Sequence, residues 1–174
     1  MSQKISGLST GDFSLTHMFE VLRDDESGIS RGTDHHHPTA GSMVSVVSQG
    51  EGRPSCHWFT GTPDPRRSVF KPFIFTNNVK ISPHIQSPRL PEDTDPAKVV
   101  PRFASKVNRT HLLYRRQQQA MAKGGSTIWD TLRQVEEKCV QETEVCLENF
   151  DPERLSEMDD LFKDCVDSEL KFYK

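Results

Sequence analysis

The chain has 174 residues, room for one domain, with 33% hydrophobic and 27% charged side chains and a formal net charge of −3. That composition is polar for a compact globule but too apolar for full disorder. Residues 1–10 hold no apolar core of a secretory signal, and no window approaches the ~18 uninterrupted apolar residues of a membrane helix, so a cytoplasmic protein with no membrane span is expected. Charge is uneven: −4 over residues 1–52, +9 over 53–123 and −8 over 124–174. Oppositely charged segments of one chain are close partners, so internal compensation is expected in place of a nucleic-acid partner.

Leu15, Met18, Phe19 and Leu22 recur at helical spacing behind Ser14, a capping residue, which predicts a short amphipathic helix near 14–24. A polar loop follows. Ser42–Ser48 is valine-rich and bounded by glycines, and reads as a strand. Ser55–Gly61 reads as a second strand, with Cys56, Trp58 and Thr60 on one face and His57 and Phe59 on the other. Thr62-Pro63-Asp64-Pro65 is a turn in which Asp64 accepts a local backbone bond. Ser68–Phe75 reads as a third strand, placed at an edge, bulged or bent because Pro72 lacks a ladder donor. The strands are apolar on both faces, which suits a meander covered on both sides.

Residues 76–108 carry five prolines and read as an extended connector lying on other structure, or as a mobile linker. A helix over Thr110–Lys123 stops at Gly124-Gly125. Ile128, Leu132, Val135, Cys139, Cys146 and Phe150 form an apolar stripe widened by Trp129 and Leu147. Asp151-Pro152-Glu153 then reads as a helix start, and Leu155, Met158, Leu161, Phe162, Cys165, Val166 and Leu170 continue the apolar face. Two long helices meeting at residue 151, packed as an antiparallel pair, are expected. The fold class is α+β, with antiparallel strands plus a C-terminal helical hairpin. It divides into residues 1–75 (helix and meander), 76–108 (connector) and 109–174 (helical region).

Each candidate for chemistry has a structural alternative. His35-His36-His37 is a run of metal-ligand types, but adjacent side chains of an extended loop diverge, so exposed loop is preferred. Cys56-His57 has the types of a nucleophile and base, but neighbours on a strand face opposite ways. Arg66-Arg67 is read as solvated turn charge or a partner of the acidic helices, not an anion site. Ser2 has the makings of a self-activated N-terminal hydroxyl in a polar, glycine-broken setting that does not suit that chemistry. Arg115–Lys123 and Asp159-Asp160 read as solvated helix faces. Cys56, Cys139, Cys146 and Cys165 contain no Cys-x-x-Cys pair and read as small apolar residues. No catalytic, cofactor-binding or metal residue is assigned, and no cofactor is expected.

Several blocks resemble one family. Phe59–Phe75 closely resembles a segment of the secernins, as do Phe19–Ile29, Thr39–Val47, Asp95–Phe103, His111–Gln118 and Asp160–Lys174, in the same order. Secernins belong to the C69 peptidase family, related to bacterial dipeptidases. The resemblance implies an N-terminal nucleophile hydrolase-like fold, two antiparallel sheets between helices, with a cysteine nucleophile near the start of a longer chain. It covers the family's C-terminal portion, and none of the four cysteines here matches the nucleophile by position. The expectation is a dipeptidase-like segment that is inactive alone, linked to regulated secretion and its protein partners, with a dipeptide-like substrate for a full-length chain only. The rival is a non-catalytic interaction module acting through its acidic helical hairpin.

Overall fold

Ser14 opens helix α1 (Leu15–Leu22) with a reciprocal cap: its hydroxyl accepts from the His17 N–H, and His17 Nδ1 accepts from the Ser14 N–H at 3.1 Å. The computed structural model describes residues 7, 9, 11–50, 52–102, 104–105, 107–124 and 126–173. Ser2 lies outside them.

The predicted meander is present as β1 (Met43–Val46), β2 (Cys56–Thr60) and β3 (Phe70–Ile74), antiparallel and in that order. The register puts Val44, Trp58 and Pro72 in one row and Val46, Cys56 and Ile74 in the next, on one face. There the Phe19 ring stacks on Phe70 at 4.1 Å and meets Trp58 edge-on at 5.6 Å. On the other face Phe59 and Phe73 meet Phe162 edge-on at 6.4 and 5.7 Å. Both faces are thus covered over β2 and β3, as their two-sided apolar pattern predicts.

Pro72 lies on an edge strand: among the described residues β3 pairs only with β2. The Phe70 N–H donates to the Glu136 carboxylate at 2.6 Å instead of to a strand. N–H direction alternates along a strand, so the Pro72 nitrogen faces the same outer edge and its missing proton leaves the ladder intact.

The start of the connector lies on other structure. The Thr76 hydroxyl donates to Asp159 at 2.5 Å and the Lys80 N–H to the Asp159 carbonyl at 2.8 Å. Lys80 pairs with Asp160, and the buried Ser82 hydroxyl donates to Asp167, both at 2.7 Å. Asp159 and Asp160 are therefore latches for residues 76–82, not a solvated face. Helix α2 (Leu112–Ala122) is capped by His111, whose Nδ1 accepts from the Tyr114 N–H, and ends before Gly124 at φ +91°.

The C-terminal third differs from expectation in two ways. Helix α3 (Ser126–Glu148) buries Leu132, Glu136, Val140 and Thr143, while Val135 and Cys146 are exposed. Its inward line is half polar, so the all-apolar stripe read from sequence is rotated from the true one. Asp151 caps a 3-10 segment (Pro152–Met158), and helix α4 (Leu161–Phe172) begins nine residues later than predicted. Capping acid and first-turn proline serve a 3-10 turn as well as an α-helix. The predicted tight hairpin is replaced by two helices that each pack on β3, with a groove between them.

Candidate functional site

The segment between β2 and β3 is tied down by its own polar atoms. Asp64 holds φ +61°, a left-handed conformation that Asp tolerates better than most residues. Its carboxylate accepts from the Arg66 N–H at 3.2 Å and the Arg66 Nε at 2.9 Å, and its own N–H reaches the Thr39 carbonyl. A 3-10 turn follows (Pro65–Arg67). Thr62 and Ser68 bond through their hydroxyls, and Ser68 Oγ also donates to the Thr62 carbonyl at 2.8 Å. Gln117 of α2 donates to Thr62 Oγ1 at 2.9 Å and to the Arg67 carbonyl.

Next to this turn lies a buried charge centre. Arg23, the residue closing α1, donates from Nε to the Pro65 carbonyl and from Nη2 to the Ser68 carbonyl, each at 3.1 Å. The same Nη2 reaches both Glu136 oxygens at 2.7 and 2.9 Å, and Nη1 donates to Glu20. Its guanidinium lies over the Phe70 ring, 4.9 Å from the centroid. Burial pushes the Glu136 carboxyl up; Arg23 and the Phe70 N–H pull against that. One arginine and one glutamate so join α1, α3, the 3-10 turn and the outer edge of β3.

A second centre forms the floor of the groove between α3 and α4. Lys71 Nζ is 2.5 Å from Glu169 Oε2 and donates to the Val69 carbonyl at 2.8 Å. The Tyr173 hydroxyl donates to Glu169 Oε1 at 2.7 Å, and burial raises its pKa well above the phenol range. The groove is open, about 490 Å3, and Leu132, Cys139, Glu136 and Cys165 share its lining with Lys71 and Glu169. Cys139 Sγ lies 3.7 Å from Cys165 Sγ.

The sequence candidates scatter. His35, His36 and His37 are exposed, and the His37 N–H donates to His35 Nδ1. Among the described residues no three His, Cys, Asp or Glu side chains converge as a metal site would require. Cys56 and His57 face opposite sides. Cys56 is buried against Phe19 and Trp58 with its thiol pushed up to about 12, and His57 Nδ1 is 2.9 Å from Ser45 Oγ across the sheet. Arg66 pairs with Asp64 and with Asp25 at 2.6 Å, so the turn's partner is the loop after α1 and not the acidic helices. The compensation expected between segments is made elsewhere, by Lys71–Glu169 and Lys80–Asp160. Over Arg115–Lys123 the residues Arg115, Arg116, Gln118, Gln119 and Lys123 are exposed as expected, while Gln117 and Ala120 turn inward.

Sequence reasoning passed over Arg23, Lys71, Glu136 and Glu169. A lysine inside an apolar strand and two glutamates at core positions of amphipathic helices were the available signals. In chemical terms the two buried centres pair Arg23 with Glu136 and Lys71 with Glu169, so these carboxylates are held by cations. The reactive groups of the groove are its two thiols. No family model matches the sequence, and no solved structure matches it.

Proposed function

We propose that this chain is the C-terminal, non-nucleophilic part of a secernin-like protein of the C69 peptidase family, within an N-terminal nucleophile hydrolase-like fold. On this reading β2, β3 and their covering helices serve as wall and scaffold. The peptide-bond chemistry on a dipeptide-like substrate, in the cytoplasm and linked to regulated secretion, belongs to a full-length chain. One observation carries the scaffold role. In the block of strongest resemblance, Phe59–Phe75, Asp64, Arg66 and Lys71 are all engaged by other groups of the chain, while Cys56 just before it is a buried thiol held up to about 12. A nucleophile needs the reverse, an accessible thiolate beside a base.

The test is hydrolysis of a dipeptide panel by the purified chain, beside a variant with all four cysteines changed to alanine. Background turnover from both is expected. Turnover by the parent that vanishes in the variant overturns the reading.

The interaction-module alternative gains from the exposed face of α3. Glu137, Glu144 and Glu148 point to solvent, whereas Asp159, Asp160 and Asp167 are engaged by the connector. The acidic surface on offer is therefore α3. Glu144→Gln with Glu148→Gln removes charge without touching the core, and equal recovery of secretory partners by parent and variant rules the module out.

A further inference from the structure

The apolar cleft between the end of α3 and residues 150–161 and the open edge of β1 both lack any sign of their occupant. The two groove thiols have an occupant already: each other. We propose that Cys139 and Cys165 are a redox pair, which a hydroperoxide converts to a disulfide stapling α3 to α4 across the groove.

Geometry carries this. The sulfurs are 3.7 Å apart on different helices, 26 residues apart in sequence. A disulfide needs ~2.05 Å, so the sulfurs must approach by about 1.7 Å, within reach of side-chain rotation and a small shift of α4. Both residues are only partly covered and line the same open groove, which admits a small oxidant. The other two cysteines lack one requirement each: Cys56 is buried in the sheet away from an oxidant, and Cys146, exposed on α3, has no sulfur beside it among the described residues.

The two thiols are also inequivalent. The contact with Cys165 lowers the Cys139 pKa against the opposing pull of burial, while Cys165 itself is pushed up by the same contact and by burial. Cys139 also lines the apolar cleft at the end of α3, whereas Cys165 lines the groove alone, so Cys139, open to an oxidant from two sides, is the attacking sulfur and Cys165 the resolving one.

The chemistry balances with hydrogen peroxide as the two-electron oxidant. The Cys139 thiolate attacks one peroxide oxygen; the S–O bond forms, the O–O bond breaks, and hydroxide leaves and is protonated to water. Cys139 is then a sulfenic acid. Cys165 gives up its proton, its sulfur attacks the Cys139 sulfur, the S–O bond breaks, and a second water leaves. Two thiols and one peroxide become one disulfide and two waters.

The test uses the full chain carrying Cys146→Ser, which removes the exposed thiol that would otherwise link two molecules. The reduced protein is treated with one equivalent of hydrogen peroxide, quenched with an alkylating agent and mapped by mass spectrometry. A loss of about 2 Da, a peptide pair joining Cys139 to Cys165 and a melting temperature higher by ~5–10 °C are expected, all reversed by dithiothreitol. The same treatment in concentrated urea is expected to lose this selectivity. With Cys165→Ser added, a dimedone adduct on Cys139 is expected and no crosslink. The parent measurement needs no core substitution, so misfolding of a variant cannot mask the answer. Recovery of both thiols in alkylated form after peroxide, or pairing through Cys56, overturns the proposal.

Discussion

The two edges of the sheet are built in opposite ways. At β3 the outer edge is closed by the Glu136 carboxylate on the Phe70 N–H, a proline occupies the next outward position, and both faces are covered. At β1 the strand is four residues long, and Met43, Val46 and the following Val47 are exposed. Short length alone blunts that edge. The contrast shows where this fold is specified. Apolar alternation is similar in all three strands, yet of the two edge strands only the one served by buried charges is locked between helices.

The sharpest way to break that contrast is Glu136→Ala. It leaves the buried Phe70 N–H without its acceptor and the Arg23 guanidinium with only the exposed Glu20 as counter-charge, and a loss of ~3 kcal/mol is expected. The urea midpoint reports it. A loss below ~1 kcal/mol would mean that the β3 edge is no more tightly specified than β1.

The second charge centre tests whether such pairs add stability or only fix geometry. Lys71→Met leaves Glu169 buried with only the Tyr173 hydroxyl, and about 3 kcal/mol of destabilisation is expected. Adding Glu169→Leu removes the orphaned charge, and recovery to within ~1 kcal/mol of the parent is expected, because apolar residues of similar volume replace buried pairs at little cost. A double variant as weak as the single one would assign Lys71 a role beyond pairing.

These same residues mark the boundary of what was legible. The Ser14 cap, the meander, the Asp64 turn and the edge position of Pro72 follow from spacing and local sterics within a few residues, and all could be read. The α+β class could be read for the same reason. The charge centres could not, because Arg23 and Glu136 are 113 positions apart and Gln117 and Thr62 are 55 apart. A glutamate at a core position looks like an error in an apolar stripe until its partner is in place, so the stripe of α3 was drawn through Val135 and Cys146 instead. Cys139 and Cys165, expected as small apolar core residues, are half-buried along the groove, and periodicity within one helix cannot reveal a contact between two.

A smaller effect follows from the cap of α2. Burial lowers the His111 pKa below its ordinary 6.5, against backbone carbonyls of Gly61 and His84 that favour the charged ring. The unfolded chain therefore takes up a proton before the folded one does. Stability is at its full value above about pH 6.5 and falls as pH drops from there through the folded value. Protonation also converts Nδ1 from acceptor to donor and breaks the cap on Tyr114. Thermal melts from pH 7.5 to 5 should show this fall, and His111→Asn, which retains a capping acceptor without titrating, should flatten it. An unchanged slope in that variant would place the effect elsewhere.

The smallest effect on stability belongs to the open edge, and it separates folding from association. Val47 is 68% exposed just past the end of β1, so Val47→Lys removes little packing and a change within ~0.5 kcal/mol is expected. Its effect on solubility should be larger. Among the described residues no strand pairs with the outer edge of β1, which beside exposed Met43 and Val46 offers both backbone donors and apolar area to a second copy, and a lysine there must be desolvated before another strand can pair. Light scattering against concentration should show weaker self-association for the variant at an unchanged urea midpoint. If the midpoint falls while scattering stays the same, Val47 is part of the core and the two edges differ less than the structure indicates. If scattering falls alone, the β3 edge owes its specification to charge, and the β1 edge is left open for lack of it.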